Sequence, residues 1–230
     1  MIGSAMKSLF KSSARELKKK FSKTSEDDEF ATPLGLRMGA AVDIDTLPLR
    51  MHVDDLHMPL PDITIIIVAQ GYIDLGDGTY VHRYYAEDDT MIQVLTVNGM
   101  DDQHVKETTL YMPYESYYPG SEGEWAQWTA KGGKIGQTTY GLDDGSKFER
   151  IWFDETDGYA EPVTFWEEVY EDPESDEHSE ILHRAMLYGR NLEDGKKNEY
   201  LMVSVESCDG EETVEVMIGV DLELSMLKVI

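Results

Sequence analysis

Apolar and polar positions along the chain change period once, close to Pro33. Before it, Ile2, Met6, Leu9, Phe10, Ala14, Leu17 and Phe21, placed at 100° per residue, fall within an arc of roughly 140°. Lys7, Lys11, Arg15 and Lys18 fall on the opposite side, with Lys20 at the edge of the apolar face. This spacing predicts an amphipathic helix over residues 1–21. Residues 22–32 lose all periodicity and read as a flexible linker.

After Pro33 the pattern is that of strands. Ile63–Val68 is a continuous β-branched run, suited to a strand buried on both faces. Tyr72–Leu75 and Tyr80–Tyr85 flank Gly76-Asp77-Gly78, whose glycines tolerate the positive φ of a hairpin turn. Further strands are predicted at Met91–Val97, Glu107–Met112, Ile135–Leu142, Phe148–Phe153, Val163–Tyr170, Tyr200–Ser207 and Thr213–Val220, with hairpin turns at Asp143–Gly145 and Asp209–Gly210. One helix is predicted from about Asp176 to Tyr188, with acidic residues in its first turn and Gly189 as its stop. The fold class expected is α+β: mostly antiparallel β sheet with few helices, behind an amphipathic N-terminal helix on a flexible linker.

Within this body, Leu75-x-Asp77-Gly78-Thr79-x-x-x-Arg83-x-Tyr85 matches Leu142-x-Asp144-Gly145-Ser146-x-x-x-Arg150-x-Trp152. Either two Asp-Gly hairpins share turn chemistry, or residues 33–230 are two similar β lobes in which Arg83 and Arg150 are equivalent.

Charge divides the chain the same way. Residues 1–23 carry seven basic groups and one acidic group, or +6, whereas the whole chain is −26, so the remainder is −32. An acidic body is a poor partner for nucleic acid, whose phosphates need Lys and Arg. The single cysteine, Cys208, excludes an internal disulfide framework and a multi-cysteine metal cage. The longest apolar run is too short to span a bilayer, and lysines interrupt any signal-peptide core, so a cytoplasmic location is expected.

Candidate chemistry is sparse. Glu180 and His183 have the i, i+3 spacing of half a di-iron site, but no second such pair exists, and the segment reads as a solvated helix start. His52 and His57, with Asp54 and Asp55 between them, read as an exposed polar loop. Glu87–Asp89, Asp154–Asp157 and the cluster from Glu167 to Glu177 read as solvated acidic faces. No catalytic residue, cofactor or metal ligand set is expected. The strongest local bias is aromatic: Tyr111, Tyr114, Tyr117, Tyr118, Trp125 and Trp128 fall within 18 residues broken by Pro and Gly, read as a long loop. Tyr114, Tyr117, Tyr118, Trp125 and Trp128 can fill space between sheets, form a partner hot spot, or cradle a cation with nearby carboxylates.

The run Pro33-Leu-Gly-Leu-Arg-Met-Gly-Ala-Ala-Val-Asp43, the hairpin at Gly76–Gly78 and the ending Met217–Ile230 resemble the bacterial YjfK-like family, catalogued only as a domain of unknown function. The resemblance covers nearly everything after the linker and carries no catalytic residues. It implies a cytoplasmic bacterial protein, with gene neighbours that associate it with the envelope or with polyamines.

Two readings follow. In the first, a non-enzymatic accessory or adaptor protein uses its acidic body to bind a protein partner. Its basic arm (Lys7, Leu9, Phe10, Lys11, Arg15, Leu17, Lys18, Phe21) associates with an anionic membrane surface, at the inner membrane face, or with a partner. In the alternative, the body binds, or acts on, a cationic small molecule such as a polyamine.

Overall fold

The computed structural model describes residues 32–192, 195 and 197–230. The arm and all but the last residue of the linker therefore lie outside the described residues. Among the described residues are twelve strands: β1 (Ala41–Ile44), β2 (Thr64–Gly76), β3 (Thr79–Ala86), β4 (Met91–Val97), β5 (Val105–Tyr117), β6 (Thr139–Gly141), β7 (Lys147–Arg150), β8 (Val163–Tyr170), β9 (Ser179–Asn191), β10 (Asn198–Cys208), β11 (Glu211–Asp221) and β12 (Leu227–Val229). Two short helices accompany them, α1 (Leu47–Arg50) and α2 (Glu122–Thr129).

The expected α+β sheet protein is instead an eight-stranded antiparallel barrel. Pairing runs β2-β3-β4-β5-β11-β10-β9-β8 and returns to β2 through Gln70↔Tyr170, Gly71↔Val169 and Tyr72↔Glu168. Closure leaves the barrel strands without a free edge over their paired length. β1 and β12 extend the sheet from the start of β2, and β7 and β6 extend it from the end of β9.

The helix predicted at 176–188 is strand β9, hydrogen-bonded on both edges to β8 and β10. Its Leu, Ala and Met residues favour helix locally, and the apolar run Ala185–Tyr188 hides any alternation. Both faces of β9 are buried there, so period 2 left no trace in the hydropathy. Conversely, Ile63–Val68 is not buried on both faces: Ile65 and Ile67 point into the core while Ile66 and Val68 are exposed. The predicted aromatic loop is also ordered differently, with β5 running to Tyr117 through a register shift opposite Val216/Met217, followed by α2.

The three Asp-Gly turns are hairpins, at β2–β3, β6–β7 and β10–β11. The duplication fails. β3 lies inside the barrel wall between β2 and β4, whereas β7 is an appendage between β6 and β9.

The register places Arg83, Gln93, Tyr111, Met202 and Phe165 on the inner face of the barrel, with Trp152 from the β7–β8 connection packed among them. The outer face of β4, β5, β11, β10 and β9 is equally dry: Val94, Leu110, Ile218, Val203 and Met186 are all essentially unexposed. Segments 33–60 and 125–153 supply Leu36, Leu49, Met58, Trp128, Tyr140 and Phe148 to the same core.

Candidate functional site

Arg83, Tyr85 and His183 converge in the barrel interior on Glu167, which is fully buried. Its Oε2 accepts a hydrogen bond from Arg83 Nη1 at 2.6 Å and lies 2.8 Å from His183 Nε2; its Oε1 accepts one from Tyr85 Oη at 2.7 Å. Arg83 Nε donates to Gln93 Oε1 at 3.2 Å, and its guanidinium lies over the Phe165 ring at 5.7 Å. His183 stacks on Phe165, and its Nδ1 lies 3.2 Å from Ser204 Oγ and 3.4 Å from Glu206 Oε1.

Gly71 makes this possible. It lies on β2 between β3 and β8, and a Cβ there would come 1.9 Å from Glu167 Oε1. A side chain at 71 would therefore evict the carboxylate that joins the strands on either side of β2.

The charges follow from the packing. Burial alone would raise the Glu167 pKa, but Arg83, His183 and Tyr85 together hold it down at about 2. Burial opposes the protonated form of His183, and Glu167 and Glu206 outweigh it, raising its pKa. Burial, reinforced by Glu167, pushes Tyr85 well above the ordinary phenol range. On the outer face of β3, His82 has, among the described residues, Thr96 Oγ1 3.3 Å from its Nε2, and burial lowers its pKa to about 4.

The acidic cluster from Glu167 to Glu177 is thus not one solvated face, because its first member is the centre of the barrel. The signal was present in Val163-x-Phe165-x-Glu167-x-Val169, where a carboxylate occupies an inward position of an alternating strand. His183 likewise left the expected solvated helix start for the interior. His57, expected in an exposed loop, joins that loop to the barrel wall. Its Nδ1 lies 2.9 Å from Glu199 Oε2 and its Nε2 3.0 Å from both Asp144 Oδ2 and Ser146 Oγ.

The aromatic residues separate. Trp128 is buried, Tyr114, Tyr117 and Trp125 pack partly buried against the core, and Tyr118 is exposed. Tyr117 and Trp128 stand 4.7 Å apart, with Lys134 Nζ 4.1 Å from the Trp128 ring centre and 5.6 Å from that of Tyr117. The chain's own lysine therefore takes the cation position at these two rings. Lys7, Leu9, Phe10, Lys11, Arg15, Leu17, Lys18 and Phe21 lie outside the described residues.

A different aromatic lines open space. On the outer side of β8 and β9, a cleft of about 530 Å³ is bordered by Trp166, His178, Glu180 and Leu182, and by Ser207, Asp209 and Gly210 of the β10–β11 hairpin. Inside the barrel, the void between Ile73, Val81, Arg83, Tyr111, Trp152 and Met202 is about 10 Å³, at most room for one water. Among the described residues no group of three or more His, Cys, Asp or Glu is placed to hold a metal ion, and no helix is long and apolar enough to cross a membrane.

Residues 13–228 match a family profile described as protein of unknown function (DUF2491). The chain belongs to that family. The chain is similar to the Uncharacterized protein YjfK of Escherichia coli (strain K12), 29% identical over 205 residues that cover 86% of this chain and 90% of that protein. No solved structure matches the chain.

Proposed function

We propose that this DUF2491 protein is a non-enzymatic accessory or adaptor, bacterial and cytoplasmic. Its acidic body binds a protein partner, and its basic arm reaches an anionic membrane surface or that partner. The observation that supports this reading is the filled barrel. Arg83, Tyr85 and His183 are spent on Glu167, and the interior void of about 10 Å³ leaves recognition to the outside. The charge split of +6 on residues 1–23 against −32 on the rest supports a division of labour between arm and body. Vesicle sedimentation tests the arm. Full-length protein should pellet with anionic vesicles in a salt-sensitive manner, and protein lacking residues 1–23 should stay in solution. Equal pelleting of both, or indifference to lipid charge, removes the membrane role.

The Trp166 cleft favours a second reading, binding of a cationic small molecule such as a polyamine. It sets an exposed indole beside Glu180 and Asp209. Spermidine should quench Trp fluorescence beyond sodium chloride of matched ionic strength, and Trp166→Phe should abolish the difference. Equal quenching by spermidine and salt rejects it.

A further inference from the structure

The outer face of the barrel is covered unevenly. It is dry along β4, β5 and β11 and at Met186 of β9, where side chains from segments 33–60 and 125–153 join the core. On β8 the cover stops. Trp166 points outward, because its neighbour Phe165 points in, and it is 45% exposed. It stands opposite Leu182 of β9, and Leu182 stands opposite Ser207 of β10, so three strands contribute to the cleft of about 530 Å³. That volume falls within the roughly 300–1,000 Å³ of sites that enclose a ligand.

Charge restricts what the cleft accepts. Residues 163–184 and 206–213 carry twelve acids and one base, Arg184, and that base is paired with Glu212 at 2.9 Å. Glu167 and Glu206 turn to His183, which leaves ten acids for the outer side. Two more residues at each end of these segments add Glu161 and Glu215 and no base. Glu180 and Asp209 line the cleft itself, and Glu168 stands opposite Glu180. An anionic ligand is repelled here, whereas a cation that carries apolar groups suits both the carboxylates and the indole.

The chain holds one stretch of that composition. Residues 1–23 carry seven of its twenty bases and one acid. In the helix that their pattern predicts, Phe10, Ala14, Leu17 and Phe21 recur at i, i+4, i+7 and i+11 as one stripe, with Lys7 and Lys18 along one side and Lys20 along the other. The tether is long enough. Eleven linker residues extend to about 36 Å and the arm adds about 30 Å of helix. The body, with a radius of gyration of about 16 Å for its length, is about 42 Å across. A flexible tether sets the arm at an effective concentration of roughly millimolar, which a free basic partner must exceed to take its place.

We propose that the arm docks in the Trp166 cleft of its own chain, with Phe10, Leu17 and Phe21 against Trp166 and Leu182 and its lysines facing Glu168, Glu180 and Asp209. Under the first reading of function, on which this consequence rests, the contact is a switch. The carboxylates of the body and the headgroups of an anionic membrane compete for the same lysines, and the arm leaves the cleft where lipid offers more charge.

Zero-length carbodiimide coupling of the full chain at low salt, without lipid, followed by peptide mass spectrometry of the monomer band tests the contact. Amides are expected from Lys7, Lys11 or Lys18–Lys20 to Glu168, Glu180 or Asp209, in a yield independent of protein concentration and several-fold lower in about 1 M sodium chloride. Glu180→Lys with Asp209→Asn should remove them; both side chains are exposed, and Asn keeps the positive φ of 51–59° type found at such turns, here 50°. Acrylamide should reach Trp166 more readily in Leu17→Glu than in the unaltered chain, and Trp166→Phe should abolish that difference. Arm coupling that is absent, spread over acids elsewhere on the body, confined to a dimer band or unmoved by the paired substitutions overturns the proposal. Because coupling is read without lipid, vesicle pelleting can fail and leave the contact standing. Coupling that fails while salt-sensitive pelleting persists rejects the contact alone.

Discussion

Arg83 and Arg150 stand at matching places in two similar stretches of sequence, and the fold gives them opposite environments. Arg83 projects into the barrel and meets a carboxylate, with Glu167 Oε2 at 2.6 Å. Arg150 sits on an appended strand and, among the described residues, hydrogen-bonds to backbone alone: its Nη1 donates to Gly136 O at 2.7 Å and Gly158 O at 2.6 Å, and its Nη2 to Phe153 O at 3.0 Å and to Thr156 O. Both are about as buried, at 3% and 5% exposure. The first is a charge pair that fastens the closure seam of the barrel. The second is a fork of donors that folds residues 136–158 around one cation, holding Phe153 at a φ of 59°. A buried guanidinium thus needs either one anion or several carbonyls, and the partner decides whether the site responds to pH.

The comparison breaks most visibly at Glu167. Glu167→Ala leaves Arg83 buried without its anion and should cost about 3–5 kcal/mol in urea unfolding. Adding Arg83→Met should recover much of it, and simple additivity of the two would show that they do not act as a pair. Arg150→Ala should cost less, about 2–3 kcal/mol, because each lost bond is to a neutral acceptor. Its effect should be local, with faster amide exchange across residues 136–158 and unchanged exchange in β3 and β8. Arg150→Lys should not rescue it, since an ammonium cannot reproduce the planar fork.

Acid and base should sharpen the contrast. Glu167 is held at about 2, below its ordinary 4.5, so its contribution is complete above pH 4.5 and is lost as pH falls toward 2. His183 is raised above 6.5, so its contribution is complete below 6.5 and is lost as pH rises through its folded value. The groups facing it are Glu167 and Phe165 on β8 and Ser204 and Glu206 on β10. Unfolding measured against pH should lose the acid limb in Glu167→Gln and the alkaline limb in His183→Gln, whereas Arg150→Ala should shift the curve without changing its shape. The smallest effect belongs to Lys134→Ala, about 0.5–1 kcal/mol from the Trp128 ring, read as a change in Trp emission.

Much of the local structure was legible in the residues. The hairpins at Gly76–Gly78, Asp143–Gly145 and Asp209–Gly210 need positive φ, and Asp and Gly supply it within a few residues. Strands such as Met91–Val97 and Val163–Tyr170 carry enough β-branched and aromatic residues to declare themselves. The site was legible only in part. Glu167 was marked by its inward position in an alternating strand, while His183 was concealed in a segment whose composition suits a helix.

The sequence by itself determined the turns, most strands, the charge division and membership of the DUF2491 family, because each depends on neighbours within a few residues or on composition. Only the tertiary structure decided the rest. Closure depends on Gly71 meeting Val169 across 98 residues, and β9 is a strand because β8 and β10 offer it two edges at once. Which of two matching arginines receives a carboxylate follows from where their strands lie in the barrel. Pairing between distant segments is a free energy shared by both, and neither segment's own pattern records it.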